Sequence, residues 1–312
     1  MRLKASFIVP AFNEAANILP FYEEFSRVFD ASEFDYELLF IDDGSTDGTR
    51  DELKKLAREK PHVLAISFSR NFGKEAAIWA GLNNATGDFV GIIDADLQQQ
   101  PADALNMLKL LDADDECDIV TAYQSARHEN PIIVMFKSLF YKLMDKLMDT
   151  TVPSDASDFR VFRRVVADSI LNVGEYYRFS KGIFSWVGFQ EQLYPYEPSE
   201  RLHGSSKWSF VKLVKYAVDG IISFSTSPLR LASYVGFTAS LLALIYLIVV
   251  LVQKMCFGIS VPGYATLIGV ILLLGGIQLL FLGIAGEYIG RMYIQDKHRP
   301  IYIEARRYVS VD

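Results

Sequence analysis

Five short apolar runs mark the first part of the chain: SFIVP (6–10), YELLFI (36–41), VLAISF (63–68), DFVGII (88–93) and DIVTA (118–122). Each has the length of a strand, and the stretches between them carry helical periodicity. Ser45-Thr46-Asp47 is placed to start the second of those helices. Strand and helix alternating at this spacing predict an α/β domain with a mostly parallel sheet. Ligands of such sheets collect beyond the carboxyl ends of the strands. Polar residues fall there in this chain: Asn13-Glu14 after the first run, Asp42-Asp43 after the second, Arg70-Asn71 after the third, Asp94 and Asp96 after the fourth. Four strand ends delivering polar side chains to one edge predict a binding site along it.

The rear of the chain has another pattern. Residues 234–252 and 264–286 contain no charged side chain over 19 and 23 positions. As helices they would measure about 28 and 35 Å, enough to cross a bilayer, the second with some tilt. A short loop joins them, which predicts a transmembrane hairpin. Two amphipathic stretches precede it, 132–148 and 209–224, each with an apolar face and lysines off that face. They read as core-facing helices or as helices lying in the membrane interface, and the second runs almost directly into the first span. Gly269, Gly276, Gly283 and Gly290 recur every seven residues, predicting a close contact with the first span or with a second subunit, hence a homo-oligomer.

Charge sharpens this division. Residues 1–130 hold 12 Lys+Arg against 24 Asp+Glu, and the remainder 19 against 14. An acidic front half argues against nucleic acid as a partner; a basic rear half beside apolar spans fits a bilayer with anionic headgroups. Arg201, Lys207, Lys212, Lys215 and Arg230 precede the first span, and Arg291, Lys297, Arg299, Arg306 and Arg307 follow the second. The positive-inside rule then puts both ends and the N-terminal domain in the cytoplasm. MRLKASFIVPAF, broken at Pro10, does not read as a signal peptide. Cys117 and Cys256 match no metal-site spacing.

The chemistry centres on GIIDADLQQQP, residues 91–101. An aspartate here can simply cap the following helix. Paired, Asp94 and Asp96 can converge on Mg²⁺ or Mn²⁺, with Gln98 offering a neutral oxygen and phosphate oxygens completing the shell. Such an ion neutralises a departing diphosphate. Asp42-Asp43 is the second acidic pair, placed to accept from ribose hydroxyls or base N–H groups. A Rossmann dehydrogenase fails on one feature: VPAFNEAAN follows the first strand in place of G-x-G-x-x-G.

IVPAFNE, IDDGSTDGT, SRNFGKEAAIWAGL, DADLQ, DFR and RLHGSSKW occur in this order, and the second span ends in LGIAGEYIGRMYIQDKHRPIYI. In these motifs the chain resembles family 2 glycosyltransferases of the GT-A fold, and among them the polyprenyl-phosphate glycosyltransferases, which include bactoprenol glucosyltransferases and dolichol-phosphate mannose synthases. The resemblance implies a cytoplasmic GT-A domain over 1–208, an amphipathic interface helix over 209–229, two spans within 230–290 and a cytoplasmic tail over 291–312. It implies that Pro10, Ala11, Asn13, Glu14, Asp42 and Asp43 line the base and ribose pocket, with Lys74 beside the nucleotide. Asp94, Asp96 and Gln98 would hold Mg²⁺ or Mn²⁺, Asp94 also lying near the sugar. Asp158 would face the acceptor, and Arg127, Arg201, Ser206 and Lys207 would draw in diphosphate or acceptor phosphate. The partners implied are a UDP-sugar, polyprenyl phosphate and the bilayer.

The chain departs from the family pattern at Gln99 and Gln100, where Asp or His and a proline are usual, and at Gln124 and Pro198, where arginines are frequent. The implied reaction is inverting transfer of a hexose, UDP-glucose first, with UDP-N-acetylglucosamine or GDP-mannose as alternative donors. Asp158 would serve as base or as orienter of the acceptor. A processive synthase would bring a Q-x-x-R-W element and more spans; a non-catalytic nucleotide-sugar sensor would have no use for Asp158.

Overall fold

All five apolar runs become strands. A computed structural model describes residues 2–124, 156–199, 222, 225–257 and 263–310. In chain order the elements are β1 (Lys4–Ala11), α1 (Ala15–Phe29), β2 (Asp35–Asp42), α2 (Thr49–Glu59), β3 (Val63–Phe68), α3 (Lys74–Asn84), β4 (Phe89–Ile92), α4 (Pro101–Ala113), β5 (Ile119–Gln124), β6 (Ala156–Arg163), α5 (Arg164–Leu171), α6 (Ser180–Trp186), β7 (Glu191–Tyr196), α7 (Ser227–Phe257), α8 (Tyr264–Asp296) and β8 (Glu304–Tyr308). One sheet holds eight strands in the order β7-β5-β6-β4-β1-β2-β3-β8. The β3-β2-β1-β4 core is parallel, so four strand ends share one edge, as expected. β6 and β8 run against their neighbours. The chain passes from β1 to β2 and β3 on one side and returns to β4 on the other, opening a crevice at the β1/β4 switch point.

Strands buried on both faces divide two cores between them. On one face Phe7, Phe21, Phe25, Phe29 and Phe40 pack edge-on and stacked, with ring centroids 4.2–5.9 Å apart. On the other, Ile8, Leu39, Ile66, Ile92 and Phe162 meet α3, α5 and α6. Gly81 lets α3 lie flat on the sheet: a Cβ there would stand 2.2 Å from Ile8 Cγ2. That close seat fixes the N-terminus of α3 at the site edge. α2 starts at Thr49, later than the sequence predicts; Asp47 Oδ1 accepts from Thr49 N at 2.9 Å and forms the turn before it.

The hairpin helices are longer than the uncharged runs, 31 residues for α7 and 33 for α8. At 1.5 Å per residue both exceed the ~30 Å hydrocarbon core. Their Leu and Ile side chains lie open, Leu242 61% and Leu272 69% exposed, as a bilayer would require. Gly269, Gly276, Gly283 and Gly290 meet nothing within 4 Å where a Cβ would stand. Among the described residues, the expected close contact between these glycines and the first span is therefore not formed. Beyond α8 the chain returns to the domain: Gln295 Nε2 donates to Gly174 O at 2.8 Å, Gln295 Oε1 accepts from Tyr176 N at 2.7 Å, and β8 pairs with β3. At the same open end of the hairpin, Tyr288 Oη donates to Ser225 O, just before α7, at 2.6 Å.

Candidate active site

The register of β4 with β6 builds the centre. Ile92 lies opposite Arg160 in an antiparallel pair, so continuing both strands past the sheet edge sets Asp94 opposite Asp158. Two carboxylates facing each other repel, and Lys74 lies between them. Its Nζ is 2.7 Å from Asp94 Oδ1 and 3.0 Å from Asp158 Oδ2. Lys74 is the first residue of α3, and Gly73 before it takes φ +99°, a turn open to glycine. Three residues predicted singly thus form one ionic cluster, with Lys74, Asp94 and Asp158 side chains 39%, 31% and 27% exposed.

Electrostatics follow from this packing. Burial works against the charge on Asp158, but Lys74, Lys181 and Arg160 outweigh it and hold its carboxyl well below the usual range. Burial likewise opposes the Lys74 ammonium, and the two carboxylates push it well above its ordinary value. Next in sequence, Glu75 is raised by burial and by Asp158, although its carboxylate accepts from Ser180 N at 3.0 Å and from the Ser180 hydroxyl. Arg160 is buried beneath the site, its guanidinium 4.1 Å from the Phe184 ring.

Along DADLQQ the exposure alternates: Asp94, Asp96 and Gln98 are half-buried while Ala95, Leu97 and Gln99 are buried. Neither aspartate caps a helix, since α4 starts only at Pro101 and no side chain caps it. Leu97, at φ +57°, bends the loop, and Gln98 N donates to Asp96 Oδ1 at 3.1 Å. Gln99, which stands where the family pattern differs, holds Asp94 twice: its Oε1 accepts from Asp94 N at 2.8 Å and its Nε2 donates to Asp94 Oδ2 at 3.2 Å. No group of three His, Cys, Asp or Glu side chains converges among the described residues. The half-buried carboxylates of Asp94 and Asp96 and the Gln98 amide are of the oxygen-donor type that suits a hard divalent ion, with Lys74 and Gln99 engaging the Asp94 oxygens.

The residues expected beside the nucleotide gather at the ends of β1 and β2, where Pro10 and Ala11 register with Ile41 and Asp42. Asn13, at φ +56°, accepts from Thr46 N at 2.9 Å and its own N–H donates to Ser45 Oγ at 2.9 Å. Glu14 accepts from Asn17 Nδ2 at 2.6 Å. The acidic pair is enclosed at this edge and bonded to the neighbouring loops. Asp42 has no exposed surface, accepting from Ser45 N at 2.8 Å and from Arg50 Nε at 3.5 Å. Asp43 is almost as enclosed, and its oxygens accept from Phe72 N at 2.6 Å and Gly73 N at 2.9 Å. Burial raises its pKa against those N–H groups. Both carboxylates brace loops, Asp43 fixing the turn that launches Lys74. Arg127, Arg201, Ser206 and Lys207 lie outside the described residues, as do the stretch 132–148 and most of 209–224.

The description Glycosyl transferase family 2 matches residues 6–171, and the description GtrB C-terminal hairpin matches 227–292. The chain belongs to glycosyltransferase family 2. Within the family, the Bacillus subtilis protein CsbB is 42% identical over 96% of this chain and 90% of its own. A bactoprenol glucosyl transferase of Shigella phage SfV is 39% identical over 96% of this chain and 98% of its own. A crystal structure of a mycobacterial protein, 19% identical, superposes with a TM-score of 0.50 over 70% of this chain and 73% of that one, a likeness of fold. The Mycobacterium tuberculosis glucosyl-3-phosphoglycerate synthase, crystallised with Mn²⁺ and UDP-glucose, gives 0.47 at 19% identity over 70% of this chain and 77% of that one. The family's GT-A domain and its hairpin are both present here. What the sequence motifs missed within this glycosyltransferase site are Gln99, Glu75 and Arg160, which touch the named carboxylates or sit beneath them.

Proposed function

We propose that the protein transfers glucose from UDP-glucose to undecaprenyl or another polyprenyl phosphate, inverting the anomeric carbon, at the cytoplasmic face of the bacterial inner membrane. The lipid-linked sugar then serves cell-envelope glycosylation. The observation that carries this reading is the similarity to a bactoprenol glucosyl transferase over nearly the whole length of both chains, hairpin included. The sugar acceptor of such an enzyme is anchored in the bilayer, and a catalytic domain tied to both ends of a hairpin is held where a lipid phosphate emerges.

In this reading Asp94, Asp96 and Gln98 hold Mg²⁺ or Mn²⁺, which neutralises charge on the departing UDP. The remaining steps belong to the chain's own residues. Pro10, Ala11, Asn13 and Glu14 border the base and ribose. Gln99 keeps the Asp94 carboxylate aimed into the crevice. A phosphate monoester, with a second pKa of about 6, is largely ionised at neutral pH and attacks without a strong base. Asp158, held ionised by Lys74, Lys181 and Arg160, is a weak base and acts by orienting Lys74 and the acceptor. Arg127, Arg201, Ser206 and Lys207 bind acceptor phosphate or diphosphate. The test offers radiolabelled UDP-glucose, UDP-N-acetylglucosamine and GDP-mannose to the purified full chain with undecaprenyl phosphate and Mn²⁺. Label entering the organic phase from UDP-glucose alone supports the reading; label from another donor alone replaces the sugar.

A further inference from the structure

A polar cavity lies beside the catalytic cluster and shares Glu75 with its surroundings. It measures about 140 Å³ and is lined by Arg70, Phe72, Glu75, Tyr176, Arg178 and Ile301. Both guanidiniums are held flat against aromatic rings, Arg70 4.0 Å from the Phe72 centroid and Arg178 3.9 Å from that of Trp79. Among the described residues each makes one hydrogen bond, to a backbone carbonyl: Arg70 to Asn71 O at 3.0 Å, Arg178 to Val173 O at 2.7 Å. Among the described residues neither lies within 4.0 Å of a carboxylate oxygen. The one acid in the wall, Glu75, turns its oxygens onto Ser180. Two pre-oriented guanidiniums with most of their donors unused, facing one small cavity, match the fork geometry that takes a phosphate group bidentately.

Position adds the source of that phosphate. Tyr176, in the cavity wall, donates its N–H to Gln295 near the last turn of α8, and Ile301 follows five residues after that helix ends at Asp296. The cavity therefore sits where the end of the second candidate span joins the catalytic domain. We propose that Arg70 and Arg178 form a phosphate-binding site, filled by the headgroup of an anionic membrane phospholipid and separate from the donor site. Such basic pockets at helix ends are how membrane proteins hold acidic lipids. The site stands on charge and position alone, so it does not depend on which sugar is transferred.

The test uses the full chain in neutral detergent, titrated with short-chain phosphatidylglycerol, short-chain phosphatidylcholine or inorganic phosphate, and read by native mass spectrometry and thermal shift. Wild type binds the anionic lipid and not the zwitterionic one, and the binding persists in saturating UDP-glucose. Arg70→Gln, at an exposed position that folding does not need, weakens it at least tenfold; Arg178→Lys weakens it less than Arg178→Gln. Binding of inorganic phosphate that is lost in Arg70→Gln, with no added gain from the lipid, keeps the phosphate site and assigns it a soluble source. Equal binding of both lipids, unchanged binding in Arg70→Gln and Arg178→Gln, or displacement by UDP-glucose overturns the proposal.

Discussion

Replacing Lys74 with Met tests the ionic cluster directly. Met keeps most of the side chain's length and removes the charge together with the N–H donors. Nζ lies 2.7 Å from one carboxylate and 3.0 Å from the other, so the two acids stand within about 6 Å of each other. At an effective dielectric of ~20, two unit charges at that separation repel by about 3 kcal/mol. All three side chains are 27–39% exposed, and solvent screening reduces the net loss to about 1–2 kcal/mol. For a chain of this size that is a fall in Tm of about 2–8 °C.

The loss depends on pH in a known direction. In wild type the Asp158 carboxyl is depressed below its unfolded value, so its stabilisation is fully present above the unfolded value near pH ~3.9 and is lost below it, as pH falls towards and through the lower folded value. In Lys74→Met the burial that opposes the Asp158 charge is no longer offset by Lys74, so acid stabilises the variant relative to wild type. The Tm gap between the two proteins, scanned at one rate in one detergent, is widest near neutrality and narrows towards pH 4. A gap that is constant across this range, or a variant more stable than wild type at neutral pH, would refute the cluster.

Four further outcomes follow from other contacts. Asp158→Asn lowers kcat by about tenfold or less if the residue orients, whereas loss of a general base costs about 10²–10⁴-fold; a thousandfold loss in the radiolabel assay would restore the base. Gln99→Leu leaves the Asp94 N–H and carboxylate without their partner, weakening Mn²⁺ affinity by about 10–100-fold in a titration with bound nucleotide, with Asp96→Asn as the positive control. Gly44→Ala places a Cβ 2.3 Å from the Arg70 carbonyl carbon at φ +70°, so its Tm falls and its donor affinity falls with it; an unchanged Tm would mean the turn relaxes. Gly276→Leu faces open space and leaves the thermal stability of the monomer unchanged, while a smaller particle by light scattering would reveal a contact between subunits.

How much of this was legible beforehand varies by element. The five apolar runs needed only local pattern, because a parallel strand buried on both faces is written as uninterrupted hydrophobic residues. β6 was missed because ASDFRVFR interleaves its core side chains with Asp158, Arg160 and Arg163, residues that serve the site or bond to backbone carbonyls. β7 and β8 are edge strands with largely exposed side chains, and nothing local in EARRY names a partner strand more than 200 residues earlier. The two hairpin helices were plain from their lack of charge; their extra turns, up to Asp296, were not.

Within the site, Asp94, Asp96 and Gln98 could be read from the alternation along one loop. Their union with Asp158 through Lys74 could not, since it needs the antiparallel register of β6 and the close seat of α3 on Ile8. Gln99 looked like a departure from a family motif and proves to be the residue that positions Asp94. Asp42 and Asp43 stand at a strand end, where acids often meet ligands; their burial and their bonds to backbone N–H groups, which also brace the loops here, could not be read from the sequence.

The central claim is that the cluster at the end of β4 activates a UDP-linked glucose for a lipid phosphate. The direct measurement incubates the purified, membrane-embedded chain with radiolabelled UDP-glucose and undecaprenyl phosphate, with Mn²⁺ or with chelator, and counts label in the organic phase. The account predicts transfer with Mn²⁺, little in chelator, and none with Asp96→Asn. Transfer undiminished by chelator, or no glycosylated lipid from any sugar nucleotide, would contradict it.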